Sequence, residues 1–225
     1  MRDLEAIALL QDPARRSLYE YVVGQGREVS RNEAAEAVGL QRTLAAFHLD
    51  RLAQAGLLEV DYRRLTSRAG PGAGRPAKLY RRAKTERTYS APPRDYARAA
   101  RVFAEAIQRL GAEPLLYDVA RAQGLAASRS LARNADGADR FSLDELIRHL
   151  TAKGYEPYAE AGSVRLRNCP FDALAREFAA VTCGMNLALV EGMLDGADLS
   201  AMYEARLEPR PGECCVSIAS KTNVS

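Results

Sequence analysis

The residues best equipped for chemistry in this 225-residue chain are its cysteines, and all four fall in the last quarter: Cys169, Cys183, Cys214 and Cys215. They sit in Asn168-Cys169-Pro170-Phe171, Thr182-Cys183-Gly184-Met185 and Glu213-Cys214-Cys215-Val216. A thiolate is both a nucleophile and a soft metal ligand, and a helix N-terminus or a nearby donor lowers its pKa. The spacing is Cys-x13-Cys-x30-Cys-Cys, which is not the repeated Cys-x2-Cys of a zinc ribbon. The set must therefore converge through the fold if it acts together. Three readings stay open: a metal or cluster site, a thiol redox switch, or cysteines that only fill a core as small hydrophobes in a metal-free half that binds a small molecule or serves only to dimerise. Cys214 and Cys215 are expected in a strand, where neighbours face opposite sides. One of the pair is then expected at the site with Cys169 and Cys183, and Asp172 or Glu177 is the carboxylate that would complete it.

The elements around these thiols read as mixed α and β. Tyr155–Glu160 and Ser163–Arg167 form a hairpin pattern around Ala161-Gly162. Phe171 to Met193 is expected to be helical with a break near Val181-Thr182. Tyr203–Leu207 and Cys214–Ala219 read as strands. Upstream, Ser142 with Glu145 is a capping box. Asp95 opens a helix with Tyr96, Ala99, Ala100, Phe103, Ile107 and Leu110 on one stripe, which implies burial against another surface. A second helix is expected from Pro114 to about Gly124, followed by a weakly patterned stretch at 128–140.

The first ninety or so residues have a different character. Residues 1–94 carry 17 Lys/Arg and 11 Asp/Glu, a net of +6, against −3 for residues 95–225. Within 63–87 there are nine basic residues and one acidic, Glu86, a local excess that suits a polyanion. Asp12-Pro13 starts a helix. Ser30 with Glu33 opens a second, Val38-Gly39-Leu40 turns, and a third runs from Gln41 to about Ala55 before Gly56. Two strands then flank a glycine-rich tip at 69–76. This order of helix, helix, turn, helix and hairpin is that of a winged helix-turn-helix. Ala45, His48, Leu49 and Leu52 should face Leu18, Val22, Ala34 and Val38. That turns Gln41, Arg42, Thr43, Ala46, Phe47 and Arg51 outward, where a recognition helix meets base edges. Arg75 at the tip and Lys78 on the returning strand are the expected wing contacts.

The segment Gly39-Leu40-Gln41-Arg42-Thr43-Leu44-Ala45-Ala46-Phe47-His48-Leu49-Asp50-Arg51-Leu52, followed by Ala55-Gly56-Leu57-Leu58, resembles ArsR-type winged-helix regulators. The wing Gly74-Arg75-Pro76-Ala77-Lys78-Leu79-Tyr80 is similar to that of the SufR-like iron–sulfur-sensing repressors, and residues 142–219 resemble their sensor domain. The resemblance implies an iron–sulfur cluster on Cys169, Cys183 and one of Cys214 and Cys215. The expected architecture is α+β: a winged helix-turn-helix domain at 1–87, a linker with dimerisation helices at 88–127, and a cysteine-containing sensor domain at 128–225. The expected partners are double-stranded DNA carrying an inverted repeat and a second copy of the chain. No run approaches the roughly 18 apolar residues of a membrane span. Met1-Arg2-Asp3-Leu4-Glu5 lacks a signal-peptide layout, so a cytoplasmic location is expected. The later half has one histidine, His149, with no nucleophile motif beside it, so catalysis is not expected.

Overall fold

The computed structural model describes residues 2–63, 76–87, 90–134 and 142–221. It is mixed α and β, and its contacts divide it into two units, Met1–Arg94 and Asp95–Ser225. Among the described residues no helix is long and apolar enough to cross a membrane.

The first unit contains α1 (Arg2–Ala8), α2 (Pro13–Gln25), β1 (Val29–Ser30), α3 (Arg31–Ala37), α4 (Arg42–Gln54), β2 (Leu58–Arg63) and β3 (Ala77–Arg82). Local chemistry sets the helix starts. The Asp12 side chain accepts the Arg15 N–H at 3.0 Å, with Pro13 in the first turn. Ser30 caps α3 through the Glu33 N–H at 3.2 Å. The Glu33 carboxylate is engaged mainly by Arg27 and Tyr21, with a smaller stabilisation from the Ser30 backbone N–H. Gly39, at φ +68°, makes the turn between α3 and α4, a conformation that costs other residues a steric penalty. The three strands form one antiparallel sheet in the order β1-β3-β2. Leu18, Val22, Val29, Ala34, Ala45, Leu49, Leu52 and Tyr80 form the core, with Val38 packed at its edge.

The second unit contains α5 (Tyr96–Leu110), α6 (Glu113–Asn134), α7 (Leu143–Ala152), β4 (Pro157–Glu160), β5 (Ser163–Leu166), α8 (Asp172–Ala175), α9 (Ala179–Gly196), β6 (Tyr203–Leu207) and β7 (Val216–Ser220). The Ser142–Glu145 capping box is complete, with the Ser142 N–H donating to Glu145 at 2.6 Å. The sheet order is β4-β5-β7-β6, antiparallel throughout. Leu146, Leu150, Tyr155, Leu166, Val190, Leu194, Val216 and Ile218 build the core.

Helix α9 carries small residues every fourth position: Gly184, Ala188, Gly192 and Gly196. On this seam α6 packs backbone to backbone. A methyl group at Gly192 would overlap the Arg121 carbonyl oxygen, one at Gly196 the Leu125 carbonyl, and one at Gly124 the Leu189 carbonyl. Gly124 is therefore a close-approach residue inside α6, not its end, and the helix runs on through the stretch expected to be weakly patterned, as far as Asn134. Both α5 and α6 fall in the second unit, Asp95–Ser225. The expected break near Val181-Thr182 falls earlier, at Phe178 (φ −130°, ψ 58°), between α8 and α9.

Candidate functional site

The thiols are carried by three short stretches around the second core. Cys169 lies between β5 and α8, Cys183 is in the second turn of α9, and Cys214 and Cys215 form the bend that enters β7. The expectation that strand alternation would separate Cys214 from Cys215 fails because neither is in the strand: β7 starts at Val216. The bend follows the Pro211-Gly212 turn, with Gly212 at φ +80°. The four thiols are near enough to influence one another in turn, Cys169 with Cys214, Cys214 with Cys215, and Cys215 with Cys183.

Cys214 is the hub. Its sulfur accepts from the Asn186 amide nitrogen at 3.2 Å. The backbone N–H two residues on, Val216 for Cys214 and Phe171 for Cys169, favours the thiolate form of each. Asn186 is fully buried, and its oxygen accepts the Tyr155 hydroxyl at 2.6 Å. Burial raises the Tyr155 phenol far above its ordinary pKa, so it stays a donor. Hydrogen bonds from Cys169 and Cys215 hold Cys214 well below the usual thiol range. The same bonds, reinforced by burial, push Cys169 and Cys215 up. The negative charge is therefore favoured on Cys214 over its neighbours Cys169 and Cys215.

Arg165 fixes the approach to this bend. It is 1% exposed, donates to Glu213 at 3.0 Å and Glu208 at 3.1 Å, and also holds the Glu208 carbonyl at 2.9 Å. Tyr158 and Ser217 complete the pair by donating to Glu213 and Glu208, each at 2.8 Å. The Cys214 N–H then donates to the Leu166 carbonyl at 2.9 Å, tying the bend to β5.

The two carboxylates expected to complete the site are engaged elsewhere. Asp172 pairs with Arg176 one helical turn on, and Glu177 accepts from Arg101 Nε at 2.8 Å. Among the described residues no three His, Cys, Asp or Glu side chains surround one point as a metal ion requires. Sequence reasoning missed Tyr155, Asn186 and Arg165. The available signal was Asn186, a polar residue interrupting the apolar run of α9.

In the first unit, Ala45, His48, Leu49 and Leu52 are buried as expected. Gln41, Arg42, Thr43 and Arg51 are exposed, Ala46 is half-buried, and Phe47 is 57% exposed with its ring edge-on to His48. Lys78 is not a free cation. Its Nζ lies 2.6 Å from Asp50 Oδ1 on α4, and Tyr80 donates to the same oxygen at 2.5 Å. Arg31 donates to Tyr80 at 3.1 Å. This network clamps β3 onto α4. Arg75 and residues 64–74 lie outside the described residues.

No protein-family model, curated protein or solved structure matches this chain.

Proposed function

We propose that the chain is a homodimeric DNA-binding transcription regulator, acting as a repressor, whose first unit is a winged helix-turn-helix and whose second unit reports on a thiol-bound iron–sulfur cluster. The convergence of Cys169, Cys183, Cys214 and Cys215 carries the sensing half of this reading. Three features of the donor set suit such a cluster. It offers soft sulfur ligands, backbone N–H groups near two of them that favour their thiolates, and an Asn186 amide that donates a hydrogen bond to the hub sulfur. A bound cluster would supply a redox-active, oxygen-labile group. The ligating thiols would then give up their protons, as metal binding requires.

The exposed face of α4, with Arg42 and Thr43 in its first turn, supports insertion into a major groove. The positive charge of residues 1–94 supports a polyanionic partner. Pairing of two copies is supported by α5, which buries only Ala104 while Tyr96, Phe103 and Leu110 are 76%, 65% and 80% exposed. To move operator occupancy from mostly bound to mostly free, the two states must differ by a few kcal/mol in DNA affinity.

The test is anaerobic reconstitution with iron and sulfide, followed by visible spectroscopy and operator titration. The wild type should gain a chromophore, lose it in Cys169→Ser, Cys183→Ser and Cys214→Ser, and change DNA affinity with it. A colourless protein that binds DNA equally under all conditions rejects the reading. The mutual contact of the sulfurs favours one alternative, a thiol–disulfide switch. In that case oxidation of the metal-free protein changes DNA affinity and leaves Cys169–Cys214 and Cys183–Cys215 bridges on mapping.

A further inference from the structure

The second unit carries a half-open pocket of about 600 Å3 beside the thiols, within the size range of small-molecule sites. Ala180, Leu187, Leu207 and Pro209 line its sides, and Cys183 and Cys215 lie in its wall. Tyr117 donates its hydroxyl to the Ala180 carbonyl at 3.0 Å, which lays its ring over Gly184. A side chain at Gly184 would collide with that ring, so the glycine keeps this side of the cavity open.

The charged lining decides what can enter. Arg121 is the cation of the lining, and it is already answered twice, by Glu191 at 3.3 Å and Asp195 at 3.1 Å. Asp118 and Glu191 both line the cavity, so its rim carries more negative than positive charge. An anion would meet these carboxylates with no free cation among the described lining residues. A strongly hydrated cation would lose its water to apolar walls, which is costly.

We propose that this cavity binds a small, uncharged, predominantly apolar molecule against the Cys183 and Cys215 thiols, making the protein responsive to an organic effector as well as to the state of its sulfurs. The occupant touches two of the four thiols, so its binding and thiol chemistry are reciprocally linked. The site does not depend on the cluster: it stands on walls, sulfurs and rim charge of the metal-free chain.

The test uses the reduced, metal-free full chain and two dyes differing by one charged group, N-phenyl-1-naphthylamine and its 8-sulfonate. The neutral dye should bind saturably at one per chain, at least about tenfold more tightly than the sulfonate. When bound it should slow iodoacetamide alkylation of Cys183 and Cys215, read by peptide mass mapping, and leave Cys169 unchanged. Ala180→Phe, which places a ring in the cavity from an exposed position, should weaken the neutral dye by about tenfold. Dye binding without protection of Cys183 and Cys215, as docking on the exposed face of α5 would give, overturns the proposal. So does equal affinity for the sulfonate. If Ala180→Phe does not fold, the protection pattern in the wild type decides alone. Failure of cluster reconstitution leaves every one of these readings intact.

Discussion

Replacing Asn186 by leucine tests the buried hub of the thiol site. Asn186 accepts from Tyr155 at 2.6 Å and donates to Cys214 at 3.2 Å, and both it and Tyr155 are buried. Leucine keeps the heavy-atom count and branching, so no cavity opens, but its bulkier methyl groups add a packing cost to the polar effect worked out here. The Tyr155 hydroxyl loses its acceptor in a 2% exposed position, a desolvation cost of about 1–3 kcal/mol. The bond to Cys214 adds about 1 kcal/mol. The expected loss is roughly 2–4 kcal/mol, which lowers the urea midpoint of the reduced, metal-free chain by roughly 1–2 M. The decisive arm is the double variant. Tyr155→Phe alone leaves the Asn186 oxygen without its donor and should destabilise. Added to Asn186→Leu, the same change removes the orphaned hydroxyl and should recover about 1–2 kcal/mol. If the two substitutions simply add, to within about 0.5 kcal/mol, Asn186 and Tyr155 do not form the coupled pair described here.

Gly192→Ala should cost about 3 kcal/mol by forcing α6 off α9, whereas Gly24→Ala, where an added methyl meets nothing within 4 Å, should be neutral or stabilising in the same melting assay. Burial raises the Asp50 pKa, but hydrogen bonds from Lys78 and Tyr80 outweigh it and leave the carboxyl below its usual value. Its contribution is therefore complete above the unfolded carboxylate pKa and lost as pH falls through the folded one; Asp50→Asn should flatten the stability profile between about pH 5 and 3, and an unchanged slope would refute the clamp. Arg42→Ala should weaken operator binding by roughly 1–3 kcal/mol and relax base preference at one position in an anisotropy titration, while an unaltered isotherm removes Arg42 from the interface. Phe103→Asp should shift the sedimenting species from dimer to monomer; a wild type that already sediments as a monomer at micromolar concentration sinks the pairing through α5.

What could be read from the residues was what local chemistry decides. Asp12-Pro13, Ser142-Glu145 and Gly39 place helix ends without help from the rest of the fold, and the inward face of α4 follows from its period. The α6–α9 seam was not legible. Small residues four apart are ordinary in an alanine-rich helix, and only a second backbone pressed against them gives them meaning. Clustering of the cysteines was visible, but their number at the site was not. That number turns on a two-residue shift in where β7 begins, and strand boundaries are set by pairing across the sheet. The pairing of Asp172 with Arg176 at i and i+4 was readable, and it removes a carboxylate that spacing alone offered as a ligand.

The glycine seam gives the second unit an unusual stiffness. Where helices touch through side chains, a displacement of a fraction of an ångström is absorbed by a rotamer change. Between α6 and α9 the contacts at Gly124, Gly192 and Gly196 are with carbonyl oxygens, which have no rotamer to change. Cys183 stands one residue before the first glycine of that seam, and Tyr117, in the opening turns of α6, rests on the same glycine. A shift of one helix along this seam thus has to be matched by the other, which ties the position of Cys183 on α9 to the start of α6, next in the chain to α5.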